Sequence, residues 1–192
     1  CTCTIIAKMY KEQGIEIPKN VAGLMLAAII SDTLLFRSPT CTKTDKEIAL
    51  ELASIAGVDA EEFGLAMFKA GTSLVGKTIE EIYNQDYKVF NIGDAKVGIA
   101  QVNTMDIDGF APLKGEMLEY MENLCVENGF DAAVLLLTDV INATSEVFVA
   151  GTHPEYVENA FNVQLVEHEA NLPGVISRKK QVVPAITRAI NA

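Results

Sequence analysis

The order of apolar and polar positions divides the chain into a helical first part and a mixed second part. Ile5, Ile6, Met9 and Tyr10 recur at helical spacing and predict a helix that Gly14 stops. Pro18-Lys19-Asn20 opens a second helix, almost uniformly apolar from Val21 to Ile30. That run is about half the roughly 20 residues a bilayer span needs, so it predicts a buried helix. Ser38-Pro39-Thr40 reads as a turn, and Thr44 with Glu47 has the spacing of a capping box for a helix Asp45–Ser54. Gly57 ends that helix, and Ala60–Ala70 makes a fourth. Residues 1–70 are therefore predicted as four helices with little strand.

After the small residues Gly71-Thr72-Ser73 the pattern changes. Thr78–Tyr83 predicts a short helix. Tyr87–Ile92 and Lys96–Asn103, separated by Gly93-Asp94-Ala95, predict a hairpin. Met117–Asn128 is amphipathic, with Met117, Leu118, Met121 and Leu124 inward. Ala132–Val140 is an apolar strand-like run, and Ser145–Ala150 is placed beside it. Thr152 and Glu155, with Pro154 between them, predict a capped helix through Ala160. Val163–Val166 is read as a last strand and Val182–Ile190 as a final helix with Pro184 in its first turn. The expected class is α/β: a helical part, a break at residues 71–75, and an α+β part with a mixed sheet over 76–192.

Composition narrows the function. At 192 residues, 49% apolar and 21% charged, the chain has the make-up of a globular protein able to bury a core. Residue 1 is Cys and the sequence runs straight into an apolar helix, which predicts a chain whose beginning lies elsewhere. No charged-then-apolar leader is visible. Cys1, Cys3, Cys41 and Cys125 are too scattered for a disulfide framework and read as reduced thiols of a cytoplasmic protein. Cys1-x-Cys3 has no second Cys/His pair nearby to complete a zinc site. The net charge of −11 argues against nucleic acid. Residues 1–70 hold seven Lys and Arg against nine Asp and Glu, and residues 71–192 hold eight against seventeen. Three of those eight cations stand together at Arg178-Lys179-Lys180.

Two features could carry chemistry. Asp32 follows the apolar run and precedes Leu34, Leu35 and Phe36; a carboxylate so surrounded is expected to be paired, hydrogen-bonded or on a metal, or to cap a helix end. Arg178-Lys179-Lys180, just ahead of the last helix, suits an anion, because guanidinium and ammonium groups add to the helix amides. It suits a solvated basic loop as well. Gly174–Ser177 is read as a strand leading to it. Lys88, between Tyr87 and Val89, would stand alone on one face of a strand. His153 and His168 receive no role. The residues alone, one carboxylate and one cation cluster in different halves, suggest a phosphate or carboxylate site between two lobes and go no further.

Ala22–Thr42, Ser177–Pro184, Cys1-Thr2, Ile55–Ala60 and Gln101–Thr104 resemble family II inorganic pyrophosphatases, a branch of the DHH phosphoesterases. Phe68–Ser73 and Asn103–Ile107 are similar to the subgroup that carries CBS domains. The resemblance implies that residues 1–70 are the C-terminal portion of a DHH catalytic domain and 76–192 a substrate-binding domain, with closure across the Gly71 region. It implies Asp32 as a ligand to one of two Mn²⁺ or Co²⁺ ions, Mg²⁺ accompanying the substrate, and Lys88, Arg178 and Lys179 as catalytic pyrophosphate-binding residues. A homodimer is implied for the full-length enzyme, with no nucleic-acid or membrane partner. The family's His-x-Asp-x-Asp and Asp-His-His motifs are absent from this sequence, so the resemblance further implies that the 192 residues alone are inactive and need the missing DHH domain. Two other readings stay open: a DHH exopolyphosphatase or oligonucleotide phosphodiesterase, and a non-catalytic anion-binding or assembly fragment.

Overall fold

The computed structural model describes residues 1–105 and 107–192; Asp106, within the Asn103–Ile107 run quoted above, lies outside the described residues. The chain forms two compact units, Cys1–Thr72 and Ser73–Ala192. Among the described residues no helix is long and apolar enough to cross a membrane.

The first unit is four helices: α1 (Thr2–Glu12), α2 (Lys19–Thr33), α3 (Lys43–Ala56) and α4 (Ala60–Gly71). Its core joins Met25, Leu26, Ile29 and Ile30 of α2 to Ile48, Ala49 and Leu52 of α3 and Phe68 of α4. Leu24, on the helix expected to be buried, is 72% exposed. The face expected to anchor α1 is also outward: Ile5, Ile6 and Met9 are exposed, and Thr4 and Ala7 are buried instead. Small residues let α1 approach closely, which apolar periodicity does not report. The capping box of α3 lies two residues before the expected pair. Thr42 is the N-cap and Asp45, not Glu47, closes the box, because α3 begins at Lys43. Asp59 caps α4 by accepting from the amides of Glu61 and Glu62, both at 2.9 Å.

The second unit carries α5 (Ile79–Tyr83), β1 (Tyr87–Ile92), β2 (Ala95–Thr104), α6 (Lys114–Asn128), β3 (Ala132–Asp139), β4 (Thr144–Gly151), α7 (Glu155–Phe161), β5 (Glu169–Pro173) and α8 (Val183–Ile190). The sheet runs β1-β2-β3-β4-β5 in chain order and is mixed, since β2 and β3 are parallel while the other neighbours are antiparallel. A parallel pair needs a long crossover, and α6 supplies it. Every residue of β3 is buried because helices cover both faces. Ala133, Leu135 and Leu137 point to one side with Met117 and Met121 of α6, and Ala132, Val134 and Leu136 point to the other with Val157 of α7 and Ile186 of α8. The β1–β2 loop is two residues long, and its first, Gly93, takes φ +59°, where glycine has no side chain to clash.

The mixed sheet and its helices are the expected architecture, with local corrections. Val163–Val166 is not a strand; Val166 makes a single bridge to Glu169, and the last strand is β5. Thr152 does not cap α7. Glu155 turns instead to His153 Nδ1 at 2.7 Å, and Pro154 occupies the N-cap.

Candidate functional site

Asp32 lies in the last turn of α2 and is 59% exposed, so the apolar residues around it in sequence do not bury it. Helical geometry sends Ile29, Ile30 and Thr33 inward and leaves position 32 outward. It does not cap a helix break, since α2 continues through Thr33. Among the described residues its carboxylate pairs with no charged side chain, and the Cys1 backbone nitrogen lies 3.7 Å away. Immediately after it, Leu34, Leu35 and Phe36 all take positive φ (47°, 50° and 65°). Each such residue costs about 1–2 kcal/mol for a side chain with a Cβ. The turn is held by the Phe36 amide donating to Thr33 Oγ1 at 3.3 Å and the Ser38 amide donating to the Thr33 carbonyl at 2.9 Å. Leu35 packs where Gly64 of α4 has no side chain, so the left-handed turn is held by burial as well.

The buried carboxylate of this unit is Asp45. Its Oδ1 accepts from the Thr4 hydroxyl at 2.5 Å and the Cys1 nitrogen at 3.0 Å, and its Oδ2 from the Thr42 hydroxyl and amide at 2.7 and 2.8 Å. Those bonds account for it as structure.

In the second unit, Ser177 leads into a π-helical turn, Arg178–Val182, that runs into α8. The stretch 174–177 is not a strand; β5 ends at Pro173 and Gly174 turns the chain at φ +74°. Two glutamine side chains then shape the loop. Gln181 Oε1 accepts from the Ile176 and Ser177 amides at 2.9 and 3.0 Å, and its Nε2 donates to the Gly174 carbonyl at 2.7 Å. Gln101 of β2 accepts from the Arg178 amide at 3.0 Å and donates to the Ile176 carbonyl at 3.1 Å. Backbone groups that no ladder satisfies are thus paired by side chains.

Lys179 and Lys180 of the turn are exposed, whereas Arg178 is 7% exposed. Its guanidinium donates through Nη1 to the carbonyls of Asp86 and Ile99, the latter at 3.2 Å, and through Nη2 to Asp86 Oδ1 at 2.6 Å. Lys88 is the cross-strand partner of Ile99. Partners in an antiparallel pair share a face, and Ile99, Phe90 and Ile92 belong to the core on the α8 side. Lys88 is therefore on the face from which Arg178 reaches β2. The structure brings Lys88, Arg178 and Lys179 to one region of the second unit; Asp32 belongs to the other unit. Asp86, Gln101 and Gln181 received no role from the sequence. Gln101 and Gln181 lie within quoted motifs, and Asp86 stands two residues before Lys88, but a pairing across 92 positions leaves no local pattern.

The implied metals do not fit a site made by this chain's described residues. No group of three or more His, Cys, Asp or Glu among them could hold an ion, and all four cysteines are free. Asp32 alone offers one hard-oxygen carboxylate.

Residues 65–189 match the DHHA2 domain family. A Clostridium acetobutylicum protein named "probable manganese-dependent inorganic pyrophosphatase" is 54% identical over 99% of this chain and 61% of its own length. A cobalt-dependent inorganic pyrophosphatase of Clostridium perfringens is 57% identical over 98% of this chain and 34% of its own. The crystal structure of a Methanococcus jannaschii protein, given as a candidate family II inorganic pyrophosphatase, superposes with a TM-score of 0.88 at 42% identity, covering 100% of this chain and 65% of that one. The chain thus spans between about a third and two thirds of these relatives' lengths. On a family match running from within α4 almost to the end of α8, the chain belongs to the DHHA2 domain family, and along its whole length it is similar to family II, metal-dependent inorganic pyrophosphatases.

Proposed function

We propose that the whole protein hydrolyses inorganic pyrophosphate to two phosphates in the cytoplasm, and that this chain supplies the cationic pyrophosphate-binding residues and one metal ligand. Residues 1–70 are then the C-terminal portion of the catalytic domain, residues 71–75 the link, and residues 76–192 the substrate-binding domain. The observation that carries the reading is that Lys88 and Arg178 meet one face of the β1–β2 pair, with Lys179 next to Arg178 in the chain, in an otherwise acidic unit. A cluster of that sign concentrates a multiply charged anion that the bulk charge would repel. Arg178 offers a planar fork for two phosphate oxygens, and the two lysines act as point charges that neutralise a leaving phosphate. A pair of ions, of the manganese or cobalt on which the relatives' names say they depend, would supply an activated water, with Mg²⁺ on the substrate. Asp32 is the ligand this chain contributes, and one carboxylate cannot hold both ions.

Titration calorimetry of the 192-residue chain with imidodiphosphate tests the anion site. The parent should bind, and Arg178→Ala should abolish the heat; equal binding by both proteins sinks the assignment. The isolated chain should show no turnover, and hydrolysis at rates of a complete enzyme would overturn the division of labour. Comparing pyrophosphate, tripolyphosphate and a dinucleotide with the whole protein separates this reading from an exopolyphosphatase or an oligonucleotide phosphodiesterase. The charge of −11 already weighs against the last.

A further inference from the structure

Arg178 is held more closely than an anion-binding arginine on a surface loop would be, and the group holding it is Asp86. A guanidinium has five N–H donors. Both on Nη1 are engaged, by the carbonyls of Asp86 and Ile99, and one on Nη2 is engaged by Asp86 Oδ1. Asp86 thus takes the Nη1–Nη2 end of the group with its backbone and its side chain together. The donors left are Nε–H and the second Nη2–H, which lie along one edge and make the two-pronged fork that matches two oxygens of a phosphate. The buried polar atoms without partners among the described residues are Tyr83 Oη, Asn103 Oδ1 and Glu146 Oε2. Arg178 Nε, which has no hydrogen-bond partner among the described residues, is not one of these buried atoms, and the side chain keeps 9% of its surface exposed, so the Nε edge is where the group meets solvent.

We propose that Asp86 is a positioning residue: it fixes the Arg178 guanidinium so that its Nε–Nη2 edge is presented ready-made to a phosphate group. This rests on the reading of Arg178 as a pyrophosphate ligand. An arginine free in solution gives up rotamer freedom when it grips an anion, and one already locked does not, so locking it beforehand raises affinity. Asp86 is 55% exposed on its side chain, and its negative charge offsets part of the attraction. Water screens the exposed carboxylate, whereas the hydrogen bonds that fix the guanidinium persist when the anion arrives.

The test uses the 192-residue chain and imidodiphosphate, with Asp86→Ala, Asp86→Asn and Arg178→Ala. Asp86→Ala should bind about tenfold more weakly, the scale of one unfrozen arginine side chain. Asp86→Asn keeps a carbonyl acceptor and should restore binding to within about threefold of the parent. Nitrogen-15 NMR of the arginine side chains reads the positioning itself: Arg178 should give separate, slowly exchanging Nη signals in the parent and Asp86→Asn, and averaged ones in Asp86→Ala. Asp86→Glu, which displaces the carboxylate by a methylene, takes the place of the alanine variant should that one not fold, and should bind more weakly too. Unchanged or tighter binding by the folded alanine or glutamate variant overturns the proposal, the tighter result making Asp86 a competitor of the anion. Binding unaffected by Arg178→Ala, or absent from the parent, overturns the underlying site instead.

Discussion

Replacing Asp45 is the most direct probe of how the helical unit is held. Its carboxylate is 2% exposed and ties the N-terminus of α3 to α1. Asp45→Ala removes the reciprocal cap with Thr42, worth about 1 kcal/mol, and strands the buried Thr4 hydroxyl, which costs roughly 1–3 kcal/mol. The expected loss is about 3 kcal/mol, and Asp45→Asn, which retains one acceptor, should lose about half of it. Urea unfolding followed by far-ultraviolet circular dichroism measures both. The pH dependence provides a second check. Burial alone would raise the Asp45 pKa, but the hydrogen bonds from the Thr4 hydroxyl and from the Thr42 hydroxyl and amide win and hold it well below the usual carboxylate range. A group whose folded pKa is depressed contributes its stability above the unfolded value of about 4 and loses it as pH falls through the folded value. The difference between parent and Asp45→Asn should therefore be flat from neutrality to about pH 5 and shrink below about pH 4. Parent and Asp45→Ala agreeing within about 0.5 kcal/mol at neutral pH would refute the account, as would a difference that stays constant into strong acid.

Other substitutions probe the second unit. Gln181→Ala removes three hydrogen bonds inside the 174–181 loop; it should cost about 2 kcal/mol in chemical denaturation and weaken imidodiphosphate binding in calorimetry. Tyr83 is wholly buried and its hydroxyl has no partner among the described residues, so Tyr83→Phe should stabilise the protein by about 1 kcal/mol. Burial also pushes its ionisation far up, so in an alkaline ultraviolet titration Tyr83 should stay neutral until the protein unfolds. Lys114 lies 2.9 Å from Glu169, 3.5 Å from Glu146 and over the Phe148 ring at 5.3 Å. Lys114→Ala should lower the thermal midpoint at a cost of about 1–2 kcal/mol. The hydrogen bond to Glu169 raises the Lys114 pKa, so that contribution is complete below the unfolded value of about 10.4 and disappears only as pH rises through the folded one. Parent and variant curves should run parallel from about pH 6 to 9.

Periodicity in the sequence sufficed for the four helices of residues 1–70 and for the hairpin β1–β2, α6 and the β3–β4 pair, because each is specified by neighbours a few positions apart. It misjudged the outward face of α1, the capping pair of α3 and the place of the last strand. Each depends on which side of an element meets another, and the chain order does not state that. The chemistry followed the same division. The cation cluster at 178–180 and the lone Lys88 are visible as letters, and the motifs around Asp32 and Arg178 carry the family resemblance. The sequence made Asp32 the awkward carboxylate, yet helix rotation turns it to solvent and buries Asp45. Only tertiary structure set Arg178 against Asp86 and the Ile99 carbonyl, and Lys88 on the same face, because those partners lie 92, 79 and 90 positions away from Arg178. Sheet register and the packing of α8 against it, fixed by burial of apolar area across the whole unit, bring them together.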